Sequence, residues 1–380
     1  MVTIPWLVLS NTGLASAAGI VAALSALPAL VVTPLVGYAV DRFGRRLVSV
    51  IADLASAVSV IAFPILAFFT DLSFALILAL AVLGATIDPA GYTARKSLIP
   101  DAASASHVDR DALNGLHEGL FALGWTIGPL VGALSIAAFG PVNSFWIPGV
   151  LFIFAGVCIL VLRVGDAGQD ARAERSEAQP GFWREATEGF TVLWRDKYLR
   201  TITIAMIFLA GVYLPTESLV LPVYFESTEN ALGLGIVISA MAAGGVVGAF
   251  SFGFLIKRMT YKTIARFVLI GTIIALIPMS LLPALPILAG FGFLLGLAWG
   301  PMNPLINSLV QTRVPADVQG RVFSVQLSLF YAFPPVAMLI TGYAIDGSGV
   351  EVVYPILAIL VTVGSILTLS TKAMRTLDQA

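Results

Sequence analysis

Charge is scarce in this chain. Only 11% of its 380 residues are Asp, Glu, Lys or Arg, and 58% are hydrophobic, whereas an ordinary soluble domain carries about 25% charged residues. There is too little polar surface to face water on all sides, which excludes a soluble globular protein. Cysteine is nearly absent: a single Cys158 in an apolar run excludes an internal disulfide and a Cys-Cys metal site, and reads as packing. There are two histidines, His107 and His117. His117-Glu118 begins like a zinc-peptidase helix, but Phe121 stands where the second His would be needed. No Lys follows a Gly, so the GxxxxGK[ST] loop that cradles ATP phosphates is missing as well. No catalytic, metal or cofactor constellation remains to support an enzyme. A net charge of −1 gives no sign of nucleic-acid binding.

What is abundant is long hydrophobic sequence. Apolar windows fall at about 15 to 36, 47 to 69, 73 to 94, 112 to 138, 144 to 162 and 199 to 225, then at about 232 to 256, 264 to 282, 286 to 309, 322 to 345 and 351 to 370. These predict eleven complete membrane spans. Backbone in hydrocarbon finds no water to bond and must satisfy itself internally, so the spans are expected to be helices. The alternating pattern of a membrane β-barrel is absent. The fold class expected is therefore an all-α polytopic membrane protein.

Threading the chain through these windows places all 21 Lys and Arg on one side. The opposite loops hold Asp71, Glu226, Glu229, Asp346 and Glu351, all acidic. The positive-inside bias then puts the cation-rich side, and the C-terminus, in the cytoplasm. The expected location is the cell membrane.

Gly37 to Arg46, reading GYAVDRFGRR between two membrane-length runs, suits a tight turn at a membrane face. With Gly37, Asp41, Arg42, Gly44, Arg45 and Arg46 on the pattern, it resembles the signature loop of the major facilitator superfamily. The resemblance implies a secondary transporter of two six-helix bundles, with this loop at the cytoplasmic end of the second helix. It also implies that Asp41 meets the start of the eleventh helix near Val322 and holds the inner gate shut, since a helix N-terminus favours a negative charge by about 0.3 to 1 kcal/mol.

An internal repeat agrees. Gly37-x3-Asp41-Arg42 is echoed by Gly253-x3-Lys257-Arg258, with Lys257 replacing the acid, and Pro89 with Ser97-Leu98 is echoed by Pro301 with Ser308-Leu309. Two parallel six-helix halves fit this spacing. The predicted divisions are an N-terminal bundle (1–162), a cytoplasmic linker (163–197), a C-terminal bundle (198–370) and a tail (371–380). Carried backwards, the repeat leaves only Met1 to Leu9 for the first helix, and a start codon upstream of Met1 is the expectation, with a natural eleven-helix protein or a degraded gene as alternatives. The linker mixes both charge signs. Within it Phe182, Ala186, Phe190, Leu193 and Trp194 recur at helical spacing, which predicts a short helix along the inner membrane surface or a simple tether.

Gly124-x3-Gly128-Pro129-x2-Gly132 sets small residues on one helix face. Such spacing serves close helix packing in membranes, and its resemblance to the superfamily's antiporter motif implies export against an inward proton flux. Pro315-Ala-Asp-Val-Gln-Gly-Arg-Val-Phe-Ser324 and Asp111-Ala-Leu-Asn114 resemble the bacterial branch that includes the enterobactin exporter and the macrolide efflux proteins.

An ionised side chain at the bilayer centre costs about 2.5 to 3.5 kcal/mol on insertion scales, so it is normally kept for a pathway, a relay or a partner. Asp53, Asp88, Glu118 and Glu217 are the candidates. Asp53 and Glu118 lie near the cytoplasmic end, where water or an Arg is within reach. Glu217, between Pro215 and Pro222 with no cation near in sequence, is a candidate proton carrier or site for a cationic drug, unless the helix ends at Pro215 and leaves it at the outer surface. Asp88, Tyr92 and Lys96 form one i, i+4, i+8 stripe, and Trp299, Asn303 and Asn307 another; both are expected to face a central cavity. A proline follows Asp88, so a kink offers it a structural role too.

The expectation is a monomeric, proton-driven exporter of amphipathic small molecules such as drugs or siderophores, working by alternating access without a cofactor. An uptake symporter on the same fold and a non-transporting sensor or remnant are the alternatives.

Overall fold

The computed structural model describes residues 2–162 and 182–376; for 29–42, 89, 110–111, 182–186, 316–317 and 331 it describes backbone alone. The linker charges at 163–181, and the side chains of Asp41, Arg42 and Asp111, lie outside the described residues. Every regular element described is helical.

The N-terminal half runs α1 (Thr3–Thr12), α2 (Ala15–Phe43), α3 (Arg45–Ala67), α4 (Phe74–Ser97), α5 (Ile99–Ser106), α6 (Arg110–Asn143) and α7 (Trp146–Val161). A helix α8 (Phe182–Arg195) follows, where helical spacing predicts one. The C-terminal half comprises α9 (Lys197–Pro215), a π-turn (Thr216–Val220), α10 (Leu221–Ser227), α11 (Ala231–Leu255), α12 (Tyr261–Ser280), α13 (Leu285–Trp299), α14 (Met302–Arg313), α15 (Ala316–Ser348), α16 (Val350–Ser370) and α17 (Lys372–Arg375). Among the described residues nine helical segments are long and apolar enough to cross a membrane, and Ala15–Pro28 and Trp146–Val161 form two shorter apolar helices. This is an all-α polytopic fold.

Two spans differ from the expected single rods. The run at 286 to 309 breaks at Gly300-Pro301 into α13 and α14, because the proline withholds an amide from the helix ladder. The run at 199 to 225 does not end at Pro215. It continues through the π-turn into α10, so Glu217 stays inside the bundle.

Each half is assembled by close backbone contact. Within the first, α3 packs on α4 and α7, and α2 on α4. Within the second, α11 packs on α13 so closely that a Cβ on Gly244 would lie 2.0 Å from the carbonyl oxygen of Phe293, and one on Gly296 would lie 1.9 Å from that of Met241. Lipid tails are as apolar as leucine, so association here rests on van der Waals contact that small residues permit. Between α2 and α3 the chain turns at Gly44, with φ of 90°, a region that side chains with a Cβ avoid.

The halves meet along two seams, α2 with α15 and α6 with α11. These seams govern where the bundle is open.

Candidate functional site

At the cation-poor face both seams are tight. A Cβ on Gly235 of α11 would lie 2.4 Å from that of Ala133 on α6. On the other seam Gly19 of α2 and Gly342 of α15 bring the two backbones together, with a Cβ on Gly19 falling 2.7 Å from the carbonyl oxygen of Met338. The carboxylate of Asp346 on α15 accepts from the backbone amides of Ala15 at 2.7 Å and Ser16 at 3.1 Å.

Toward the cation-rich face α6 and α11 separate. Gly115, Leu116, Gly119, Leu120 and Thr126 look across a gap of about 380 Å³ at Val246 and Phe250, and a Cβ on Gly115 or Gly119 would meet nothing within 4 Å. The ion pairs between described residues at this end stay local. Arg45 binds Asp101 of α5 at 2.9 Å, Arg313 lies 3.6 Å from Asp196, and Arg321 ties α15 to Glu188 of α8 at 2.5 Å. Arg46 donates to the carbonyls of Ile159 and Leu160 at the end of α7. Of the gating-loop residues, Gly44, Arg45 and Arg46 thus brace the first half internally, while the side chains of Asp41 and Arg42 are not described. The α6–α11 seam is thus shut at one end and open at the other.

The four candidate carboxylates sit in different surroundings. Asp53 is 1% exposed and is paired with Arg95 of α4. Glu118 of α6 meets Lys96 of α4 at 2.8 Å. Asp88, exposed along its helix, accepts from Ser56 of α3 at 2.5 Å. Glu217 is 7% exposed and makes no hydrogen bond or ion pair among the described residues. A buried carboxylate without a partner is expensive to keep charged, which sets Glu217 apart from the other three.

The π-turn explains how Glu217 comes to be there. It inserts a residue into the ladder, a distortion found frequently at functional sites, and packs against α2, α15 and α16. Glu217 therefore stands where both halves converge. Tyr213, within electrostatic reach of Glu217, lays its ring on Trp299 of α13, centroids 5.1 Å apart and planes 15° from parallel. The aromatic member Tyr213 was not singled out in the sequence; its place four residues before Glu217 was the available signal. Asn303 and Asn307 are exposed on α14, below the Gly300-Pro301 break.

A second aromatic group lines the first half. Tyr92 of α4 faces Phe121 and His117 of α6, at centroid distances of 5.1 and 5.8 Å, and Phe121 continues to Trp125 at 6.1 Å. Lys96 also lies 5.7 Å from the Tyr92 ring centre. The stripe of Asp88, Tyr92 and Lys96 is thus turned toward α3 and α6. Of the Gly124, Gly128, Pro129 and Gly132 motif, Pro129 is buried in the α6–α11 seam near Gly235 and Gly132 faces Thr3 and Val2, while Gly124 and Gly128 have open space around them.

An all-α polytopic membrane fold whose α6–α11 seam is closed at one end and parted at the other is the architecture of a membrane transporter. The chain belongs to the major facilitator superfamily, whose sequence profile matches residues 1–337. It is similar to the multidrug efflux pump Tap of Mycolicibacterium fortuitum, at 35% identity over all of this chain and 93% of that protein. It is similar also to macrolide efflux protein A of Streptococcus pyogenes, at 24% identity over 90% of this chain and 84% of the relative. In fold it matches a crystal structure of the nucleoside transporter NupG, with a TM-score of 0.80 over 97% of this chain and 94% of that one at 12% identity.

Proposed function

We propose that this protein exports amphipathic small molecules, drugs or siderophores among them, across the cell membrane in exchange for protons. The relatives named as efflux pumps support export, and the small-residue motif on α6 is consistent with antiport. Residues 1–162 and 198–370 are the two moving halves, 163–197 the tether and 371–380 a cytoplasmic tail, and the working unit is a monomer. With the cation-rich face in the cytoplasm, the α6–α11 seam is open inward, poised to take substrate from the cell or the inner leaflet.

The observation that carries this reading is Glu217, buried without a hydrogen bond or ion pair among the described residues, near Tyr213, whose ring stacks on Trp299. A cationic, aromatic guest supplies the missing positive charge and packs against the Tyr213–Trp299 pair, with cation–π attraction adding to the pairing. A proton arriving from outside neutralises the carboxylate and releases the guest. One group thus holds either passenger but not both, which is the requirement for exchange. The electrical part of the driving force is about 2.3 kcal/mol per charge per 100 mV.

The test is accumulation of ethidium and, separately, of a macrolide by inverted membrane vesicles from cells expressing the protein. Energised vesicles should accumulate the compounds, and a protonophore should abolish it. Protonophore-insensitive accumulation would remove proton coupling, and uptake by right-side-out cells in its place would favour a symporter.

A further inference from the structure

The Asp346 carboxylate caps a helix that belongs to the other half of the molecule. Its two oxygens accept from the amides of Ala15 and Ser16 at 2.7 and 3.1 Å, the first two residues of α2, whose opening turn carries no acidic residue of its own. The first amides of any helix lack intrahelical partners and carry the positive end of its dipole. A capping side chain usually comes from the residue just before the helix; here it comes from more than 300 residues away. Beneath it the seam is closely packed: Gly342 abuts the Ala15 carbonyl and the Ser16 Cα, and Ala17, Ala18 and Val21 are buried. Asp346 itself is exposed at the mouth, with no ion pair among the described residues. A local cap would travel with its helix. This one breaks whenever the halves part.

We infer that Asp346 is the latch of the outer gate, a residue the transport cycle requires to seal the cation-poor end of the α2–α15 seam while the α6–α11 seam is parted at the cation-rich end. The two helices run antiparallel, and the resemblance to the superfamily implies that Asp41, near the far end of α2, meets the start of α15. Each helix then carries, near its C-terminal end, an acid suited to the N-terminus of the other. One acid stabilises the inward-open arrangement and the other the outward-open one, so exchanging caps is part of exchanging states. This rests on alternating access by the two halves, but not on the identity of substrate or coupling ion.

The test uses full-length protein in which Cys158 is replaced by Ser, with one reporter cysteine per variant: Val21→Cys in the outer seam or Gly119→Cys in the inner gap. A membrane-impermeant maleimide is applied to intact cells for the first and to inverted vesicles for the second, and total cysteine is measured after denaturation. Losing the charged cap should shift the two-state ratio about tenfold. Asp346→Asn and Asp346→Ala should therefore speed labelling at position 21 by about that factor and slow it at 119, while Asp346→Glu stays near the parent. Unchanged labelling at 21 in both the Asn and Ala variants would overturn the latch. Faster labelling at 21 with no change at 119 would overturn it too, since that is fraying of α2 and not a change of state. Loss of proton-driven flux in the parent protein, with these labelling shifts intact, would count against the proposed coupling and leave the latch standing.

Discussion

Tyr213 and Trp299, 86 positions apart in sequence, stack at 5.1 Å and so join the span that holds Glu217 to the broken span formed by α13 and α14. The contact gives the acid an aromatic wall.

Removing one ring tests that wall. Trp299→Ala should weaken transport of aromatic cations, raising KM for ethidium about tenfold through lost stacking and cation–π contact, with a smaller effect on an aliphatic cation of similar size. Trp299→Phe should recover most of the loss. Equal effects on both cations would mean that Trp299 only fills space.

The Asp53–Arg95 pair is a structural expectation of a different kind. Asp53 is buried and its second carboxylate oxygen has no hydrogen-bond partner, so deleting Arg95 leaves a buried charge uncompensated. Arg95→Ala should lower stability in detergent by about 2 kcal/mol or more, and Asp53→Asn in the same chain should restore part of it. Thermal unfolding of the single and double variants reads this directly.

By contrast, the Arg321–Glu188 pair lies at the surface, with both side chains at least a quarter exposed. Arg321→Gln should change stability by about 1 kcal/mol or less. A larger drop in a denaturation curve would show that α8 carries more of the fold than its exposed Phe190 and Trp194 suggest.

The α11–α13 contact leaves no room for added atoms. Gly296→Val should cost about 1 to 3 kcal/mol through overpacking, seen as poor insertion or a lowered Tm, whereas Gly119→Ala in the open gap should be neutral for stability. Similar effects from both would argue that the two glycines are not in different environments.

The sequence carried the membrane class and the all-helical architecture, because hydropathy over 20 residues is a local property that lipid enforces; of the eleven spans expected, nine are long and apolar enough among the described residues and two, Ala15–Pro28 and Trp146–Val161, are shorter. Asp53, Asp88, Glu118 and Glu217 were all visible as costly residues, yet only packing separates them: Arg95, Ser56 and Lys96 reach the first three from other positions, and Glu217 makes no hydrogen bond or ion pair among the described residues. The π-turn was not legible, since Pro215 reads equally as an ending and as a distortion that neighbouring helices absorb. Tyr213 and Asp346 escaped for a related reason. Their partners, Trp299 and the first amides of α2, are set by tertiary contacts that no sequence spacing announces. The pairing of Gly244 and Gly296 with facing carbonyls was likewise hidden in a chain with 35 glycines.

The central claim, that one carboxylate serves proton and substrate in turn, is tested most directly in proteoliposomes containing wild type or Glu217→Gln. The variant holds a permanently neutral side chain at the site. It should lose accumulation of ethidium driven by an imposed pH gradient, while retaining slow movement of a neutral macrolide down its own concentration gradient, insensitive to pH. Accumulation driven by the pH gradient at the wild-type rate in Glu217→Gln would contradict the account.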